Sequence, residues 1–428
     1  MSEFLDEFYI QKYNVSKEVI DICKRAEAGL SEEFKRAEDI RDFNQLKVLN
    51  AMQKVGIAER HFAGSSGYGY DDVGRDAIDE VYALAFGAES SFVRSQIVSG
   101  THCLTIALFG LLRPGDELLA VTGKPYDTLD TVIGIRPGNG SLAEFGVKYS
   151  QVDLLADGTP DIEAIHDAVN EKTKVVLIQR SKGYCYRPAM SLANIRKIVE
   201  SVKSKRKDVI IFTDNCYGEF VDIKEPTDIG VDIMAGSLIK NPGGGLALSG
   251  GYIAGREDLV NMCGERLTAP GIGKHVGAAQ GSCRNILQGF YFAPHIVAES
   301  LKGAMFTAAV FETLGVECNP ASKERRSDIV QALKLNSAEG LRVFCKAIQS
   351  AAPVDSYVVP EAWDMPGYED RVIMAAGAFV QGSSIELSAD GPMTPPYIAY
   401  MQGGLTYVNV KLAAMMAAEE YIKLQKKK

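Results

Sequence analysis

The sequence predicts an α/β protein with a mainly parallel sheet and a smaller α+β part toward its C-terminus. Two observations carry this. From about residue 76 to residue 270, strand-like apolar runs alternate with helical stretches, which is the spacing of βαβ units. Beyond about residue 300 that alternation stops, and helices and strands come in separate groups. The expected organisation is an N-terminal helical arm (1–70), a large α/β domain (71–300) and a small α+β domain (301–428).

Each element has its own signal. "SKEVIDICKRAEAGL" and "EEFKRAEDIRDFNQLKVLNAMQKVGI" repeat apolar residues at three- and four-residue steps and predict two amphipathic helices. "GSSGYGYDDVGRD" is a glycine-rich loop. "DAIDEVYALAFGA" is helical, "SFVRSQIVS" strand-like, and "THCLTIALFGLL" a helix stopped by the turn "RPGDE". "LLAVTG" and "VKYSQVD" predict strands, "DIEAIHDAVN" a helix, "TKVVLIQRS" a strand, "SLANIRKIVESVKSK" a helix, and "DVIIFTDN" and "DIMAGSLIK" strands. In the last third, "SDIVQALKL" and "AEGLRVFCKAIQSA" predict helices. "RVIMAAGAFVQGSSIELSAD" predicts two strands around a glycine turn, and "LTYVNVKLAAMMAAEEYIKLQ" a closing helix before the basic tail.

Composition narrows the function classes. The 428 residues carry a net charge of −9, which argues against a general binder of nucleic acid or membrane surfaces. No apolar run approaches a membrane span, and "MSEFLDEFYIQKYN" lacks the pattern of a secretory signal. The eight cysteines form no CxxC and the five histidines show no metal-ligand spacing. Free, mostly buried thiols and a cytoplasmic location are the expectation.

Parallel sheets bind ligands beyond the carboxyl ends of their strands, so the informative stretches are "SGTH", "TGKPY", "QRSKG", "TDN" and "SLIKNPGGG". "GNGSLA" formally fits a dinucleotide fingerprint but lies in a loop, and no P-loop, GxSxG or HExxH occurs. In "SGTH", Ser99, Gly100, Thr101 and His102 open a helix after a strand. Their amides suit an anion, although plain capping is the competing reading. Asp214 ends an apolar strand and suits either a turn cap or the protonated nitrogen of a ring. Lys240, delivered by a strand into the cleft, suits a Schiff base, and burial is expected to lower its pKa. A snorkelling surface lysine is the alternative. Pro242 stiffens the exit, and Gly243, Gly244 and Gly245 admit backbone angles that other residues avoid. An anion cradle, a ring-nitrogen acid and a Schiff-base lysine, in that order, meet the needs of pyridoxal 5'-phosphate. Ser237 adds a phosphate hydroxyl, and Tyr126 could stack on the ring or pack in the core.

These residues resemble a family. "GYGYDDVGRD", "SGTHCL", "GKPYDTL", "QRSKGY", "GSLIKNPGGG" and "YMQGGLTY" are similar to the methionine gamma-lyase family, also called aluminium-resistance proteins. That family is a cystathionine beta-lyase-like branch of the fold-type I pyridoxal-phosphate enzymes. The resemblance implies a fold-type I PLP-dependent transferase-like fold and a carbon–sulfur lyase acting on a sulfur-containing amino acid. It also implies a homodimer or homotetramer with active sites at subunit interfaces, and neither nucleic-acid nor membrane partners. Lys240 and Tyr126 would be catalytic. Tyr68 or Tyr70, with Arg75, would reach the neighbouring subunit's cofactor phosphate. The sequence departs from better-known lyases at three points. Ile239 replaces a threonine. "QRSKG" replaces an asparagine-proline pair, leaving Arg180 or Ser181 for the ring's phenolic oxygen. No arginine near Thr394 offers itself to the substrate carboxylate. Another fold-type I enzyme, such as an aminotransferase, and a cofactor-binding protein with little catalysis are the other readings.

Overall fold

The computed structural model describes residues 3–365 and 367–427; Met1, Ser2, Pro366 and the last lysine of the basic tail lie outside it. The chain forms two compact units that do not follow the three expected segments. One comprises residues 43–183 and 189–293. The other comprises the chain up to Asp42, the short excursion Tyr184–Pro188, and everything from Pro294 on. The expected arm is therefore divided between them. The second boundary falls inside the helix Cys283–Thr313, at its internal Pro294, where a missing amide breaks the hydrogen-bond ladder.

The larger unit holds a seven-stranded sheet. Its strands are β1 (Ser90–Arg94), β2 (Glu117–Ala120), β3 (Lys148–Gln151), β4 (Thr173–Gln179), β5 (Ile210–Asp214), β6 (Ile233–Ser237) and β7 (Gly251–Gly255), in the order β1-β7-β6-β5-β4-β2-β3. β7 runs antiparallel to both its neighbours, and the β6-β5-β4-β2-β3 pairs are parallel. Two apolar cores cover the two faces. Phe212, Ile233 and Ala235 pack with Leu104, Ala107 and Leu108 of the helix Gly100–Leu111. Ile211, Val176 and Ile178 pack with Ile195, Ile198 and Val202 of the helix Leu192–Lys205. Burial on both faces is why these strands read as continuous apolar runs.

The other unit carries an antiparallel sheet of β8 (Glu317–Asn319), β9 (Gln331–Lys334), β10 (Val372–Ala375), β11 (Ser388–Pro392) and β12 (Ile398–Gln402), in the order β10-β11-β12-β9-β8. Two expectations fail here. "SDIVQALKL" contains strand β9 rather than a helix, because a short apolar run has no decisive period and pairing on both sides settles it. The strands in "RVIMAAGAFVQGSSIELSAD" are joined by an irregular stretch with a 3-10 turn at Ser384–Glu386, not by a tight glycine turn. The N-terminal region has a third helix, Glu3–Tyr13, ahead of Lys17–Ala28 and Ser31–Val55. The helices Ala338–Ser350 and Tyr407–Lys426 match the sequence pattern. No described helix is long and apolar enough to cross a membrane.

Candidate active site

The site grows from strand parity. Residues paired across parallel strands point to the same face, and neighbours along a strand point to opposite faces. Asp214 ends β5 and pairs with Gln179 of β4 and Ala235 of β6. Ser237, two residues beyond Ala235, therefore shares Asp214's face, the one covered by the helix Gly100–Leu111. A Cβ built on Gly100 would lie 3.4 Å from the Ser237 Cβ and 3.8 Å from the Cys216 Sγ. The first helical turn thus meets the ends of β5 and β6 with only a glycine between them.

That meeting point fits an anion. Ser99 does not follow the strand directly, since β1 stops at Arg94 and a turn intervenes. Ser99 caps the helix, its hydroxyl accepting from the His102 amide at 3.0 Å. The helix starts at Gly100, so the dipole's positive end faces this point. The Ser237 hydroxyl is buried beside it with no hydrogen-bond partner among the described residues. A buried hydroxyl left unpaired costs free energy, which makes an absent acceptor such as a phosphate oxygen the fitting occupant. The Thr101 hydroxyl is shared with Thr128 at 2.7 Å. His102 accepts from the Val98 amide at 3.2 Å, and burial lowers its pKa.

Asp214 is buried, and its Oδ1 accepts from the Cys216 amide at 3.1 Å. Burial pushes the carboxyl above its ordinary range, against the opposing pull of Lys240. Lys240 is half-buried and follows β6 by three residues. Its Nζ lies over the ring of Tyr217, 4.1 Å from the centroid. Burial alone would lower its pKa. The surrounding Cys216, Tyr217, Asp214 and Glu219 side chains outweigh burial, and the ammonium is held above its ordinary value. The expected depression is thus reversed, because the amine faces acidic groups rather than an apolar wall.

The glycines after Lys240 serve the chain itself. A Cβ on Gly243 would sit 1.6 Å from the Leu238 carbonyl oxygen, and one on Gly244 would sit 2.3 Å from the Gly289 carbonyl oxygen. Gly244 and Gly245 are left-handed, at φ 52° and 73°. Tyr82 donates to the Pro242 carbonyl at 3.4 Å, and Asn241 donates to the Glu219 carbonyl at 2.9 Å.

The remaining expected residues fall into two groups. Tyr126 does not end β2, which stops at Ala120; it lies half-buried in the loop beyond, before the turn Asp127–Leu129, and a Cβ on Gly183 would touch its ring at 3.0 Å. Ser181 is buried in the loop after β4, where its carbonyl accepts from Gln179 at 3.0 Å. Arg180 turns away. Its Nη1 donates to the Asn215 Oδ1 at 2.8 Å and lies 3.6 Å from the Glu225 carboxylate, all three side chains being buried. Tyr68 and Tyr70 stack on each other at 5.6 Å and are 75% and 69% exposed, so they are presented outward. Arg75 is only 4% exposed. It donates to the Gly69 carbonyl at 2.7 Å and pairs with Asp76 at 2.9 Å, bracing the tyrosine loop.

Sequence reasoning missed Tyr217 and the buried acid behind it. Tyr252 donates to Glu219 Oε1 at 2.7 Å, and the other oxygen has no partner among the described residues. Burial pushes Glu219 up to about 8. The signal was available: "CYGEF" places a tyrosine and an acid three and five positions after the ring-nitrogen candidate Asp214. Among the described residues no cluster of His, Cys, Asp and Glu could hold a metal, and all eight cysteines are free.

Fold and site together define the class as the fold-type I pyridoxal-phosphate-enzyme fold. A pyridoxal-5'-phosphate dependent protein from Escherichia coli, YhfS, shares that fold at TM-score 0.61 with 18% identity, over 91% of this chain and 97% of its own. The methionine gamma-lyase family matches residues 19–422, and the chain belongs to it. YnbB of Bacillus subtilis, described only as an uncharacterized protein, is 51% identical over 93% of this chain and 95% of its own. A carbon-sulfur lyase involved in aluminum resistance from Clostridium novyi NT superposes at TM-score 0.94 with 51% identity, over 98% of this chain and 99% of its own.

Proposed function

We propose that this protein is a pyridoxal-phosphate-dependent carbon–sulfur lyase that eliminates a thiol from the β- or γ-carbon of a sulfur-containing amino acid. The observation that carries the cofactor is the unpaired, buried Ser237 hydroxyl at the start of the Gly100–Leu111 helix, on the face that also bears Asp214. Family membership and the Clostridium novyi relative support the lyase reaction over transamination.

Pyridoxal phosphate, when bound, supplies an electron sink for a carbanion at an amino acid's α-carbon. The chain's own residues do the rest. The amides of the first helical turn and the Ser237 hydroxyl hold the phosphate. The Asp214 carboxylate holds a proton on the ring nitrogen. Lys240 Nζ would carry the cofactor's aldehyde and, as the free amine, would take the α-proton as general base. Tyr126, in the loop beyond β2, would be the proton donor to the departing sulfur, and Ser181, in the loop after β4, would serve the phenolic oxygen. Arg180 is assigned to the protein's interior. The outward Tyr68 and Tyr70 suit contact with the cofactor phosphate of a second copy in a dimer or tetramer, with Arg75 holding their loop rather than reaching across. Eight free thiols suit a reducing cytoplasm.

Purified protein is expected to be yellow, and borohydride to fix the cofactor on Lys240. A panel of sulfur amino acids is expected to give a thiol and an oxo-acid together. Label on another lysine would overturn the site. A pyridoxamine product without thiol release would replace the lyase with an aminotransferase.

A further inference from the structure

We propose that Tyr217 is a lysine-positioning residue of this site, held in a strained backbone so that its ring face carries the Lys240 amine. Two independent observations meet here. The first is the contact itself, with Nζ 4.1 Å from the ring centroid, inside the range of a cation–π interaction. The second is the backbone. Tyr217 has φ 70°, a left-handed conformation that is an outlier for a bulky residue and persists only where its surroundings enforce it.

The surroundings do enforce it. The Asp214 carboxylate takes the Cys216 amide at 3.1 Å, and Asn215 receives the Gly218 amide at 2.9 Å, closing the turn around Tyr217. The Arg180 side chain fills the space below Gly218, where a Cβ would come within 2.5 Å of its Cδ. Glu225 takes the amide of Phe220, itself left-handed at φ 61°, at 2.9 Å. An arginine, an asparagine and a glutamate are thus buried to fix one short turn. What that turn places at the site is the Tyr217 ring.

A ring in this position favours the charged amine and fixes where Nζ sits. The attraction fades when the amine loses its proton, so the side chain is released in its reactive form. The other groups that act on this amine are Cys216, Asp214 and Glu219, and the test leaves all three in place.

The inference rests on Lys240 being the reactive amine, but its test needs no cofactor. Cofactor-free full-length protein is labelled with acetic anhydride at a series of pH values, and acetylation of Lys240 is followed by peptide mass spectrometry. Tyr217→Phe keeps the ring. Tyr217→Asn removes it with a residue that tolerates positive φ, and thermal melts confirm that each variant is folded. The Tyr217→Asn labelling curve is expected to move to lower pH by about 0.4 to 1.5 units, the equivalent of one cation–π contact. The Tyr217→Phe curve, which keeps the ring and loses only the phenol hydroxyl, is expected to move less than that of Tyr217→Asn. Greater exposure alone would raise the rate equally at every pH and leave the curve in place. An unmoved Tyr217→Asn curve, or a Tyr217→Phe curve displaced as far as that of Tyr217→Asn, would overturn the proposal. Borohydride fixation of added pyridoxal phosphate on wild-type Lys240, run in parallel, decides the cofactor reading separately.

Discussion

Replacing Glu219 with glutamine isolates one buried proton equilibrium near the site. The carboxyl has no exposure, keeps one hydrogen bond from Tyr252, and shares its surroundings with Glu225. Burial, with repulsion from Glu225 added, pushes it from an ordinary 4.5 up to about 8. The sign follows from proton counting. Below pH 4.5 the folded and unfolded chains both hold the proton. Between 4.5 and 8 the unfolded chain releases it while the folded chain keeps it, so stability falls as pH rises. From pH 5 to pH 8 that is three units at about 1.4 kcal/mol each, or about 4 kcal/mol lost. Glutamine preserves the shape and the acceptor for Tyr252 and cannot titrate. The variant's stability advantage should therefore grow by that amount across the range. For a unit of this size, about 4 kcal/mol corresponds to roughly 8 to 16 °C in melting temperature. Calorimetry of both cofactor-free proteins at pH 5, 6, 7 and 8 makes the comparison. A difference in melting temperature that stays constant from pH 5 to pH 8 would refute the buried, protonated Glu219.

Two further outcomes come from the strand ends and the lysine turn. Ser237→Ala removes a hydroxyl that has no partner among the described residues, so cofactor-free stability should hold or rise. Cofactor affinity, read by absorbance titration, should fall by about 10- to 100-fold for one charge-assisted hydrogen bond. Gly243→Ala forces a Cβ to within 1.6 Å of the Leu238 carbonyl oxygen, and the turn must move. A loss of about 3 kcal/mol in urea unfolding is expected, with weaker borohydride trapping at Lys240 in whatever remains folded.

The sheet of the larger unit was legible because parallel strands buried on both faces leave apolar runs separated by helical periods. The carboxyl-end rule then led to Asp214, Ser237 and Lys240 without any need for coordinates. The failures share a physical cause. "SDIVQALKL" is too short for its period to decide, and only pairing with β8 and β12 makes it a strand. The unit boundaries depend on long-range packing, so no local composition change marks residue 42 or 293. Lys240 was expected to be depressed by burial, but the sign depends on which groups face the amine, and Tyr217 and Glu219 are brought there by a turn rather than by a repeat.

Arg180 is the instructive error, because the correct answer follows from parity. Gln179 and Asp214 are paired, so they share a face, and Arg180 and Asn215 both fall on the next step of the alternation. Their side chains meet on the side where Gly236 leaves room for Glu219 and Tyr252. The carboxyl ends of β4, β5 and β6 thus carry two different chemistries. Asp214 and Ser237 face the helix N-terminus and are kept open for a ligand. Arg180, Asn215, Glu225, Tyr252 and Glu219 face the interior and bond to one another, with the Arg180 Nε and the second Glu219 oxygen left without a partner among the described residues. A guanidinium on the ligand side would compete with a protonated ring nitrogen for the Asp214 carboxylate. On the other side it neutralises Glu225, which in turn anchors the Phe220 amide beyond Tyr217. The arginine therefore acts on the site through the turn it braces. This is why a lysine replacing it, with one point charge instead of a planar fork, would be expected to loosen Tyr217 before it disturbed the sheet.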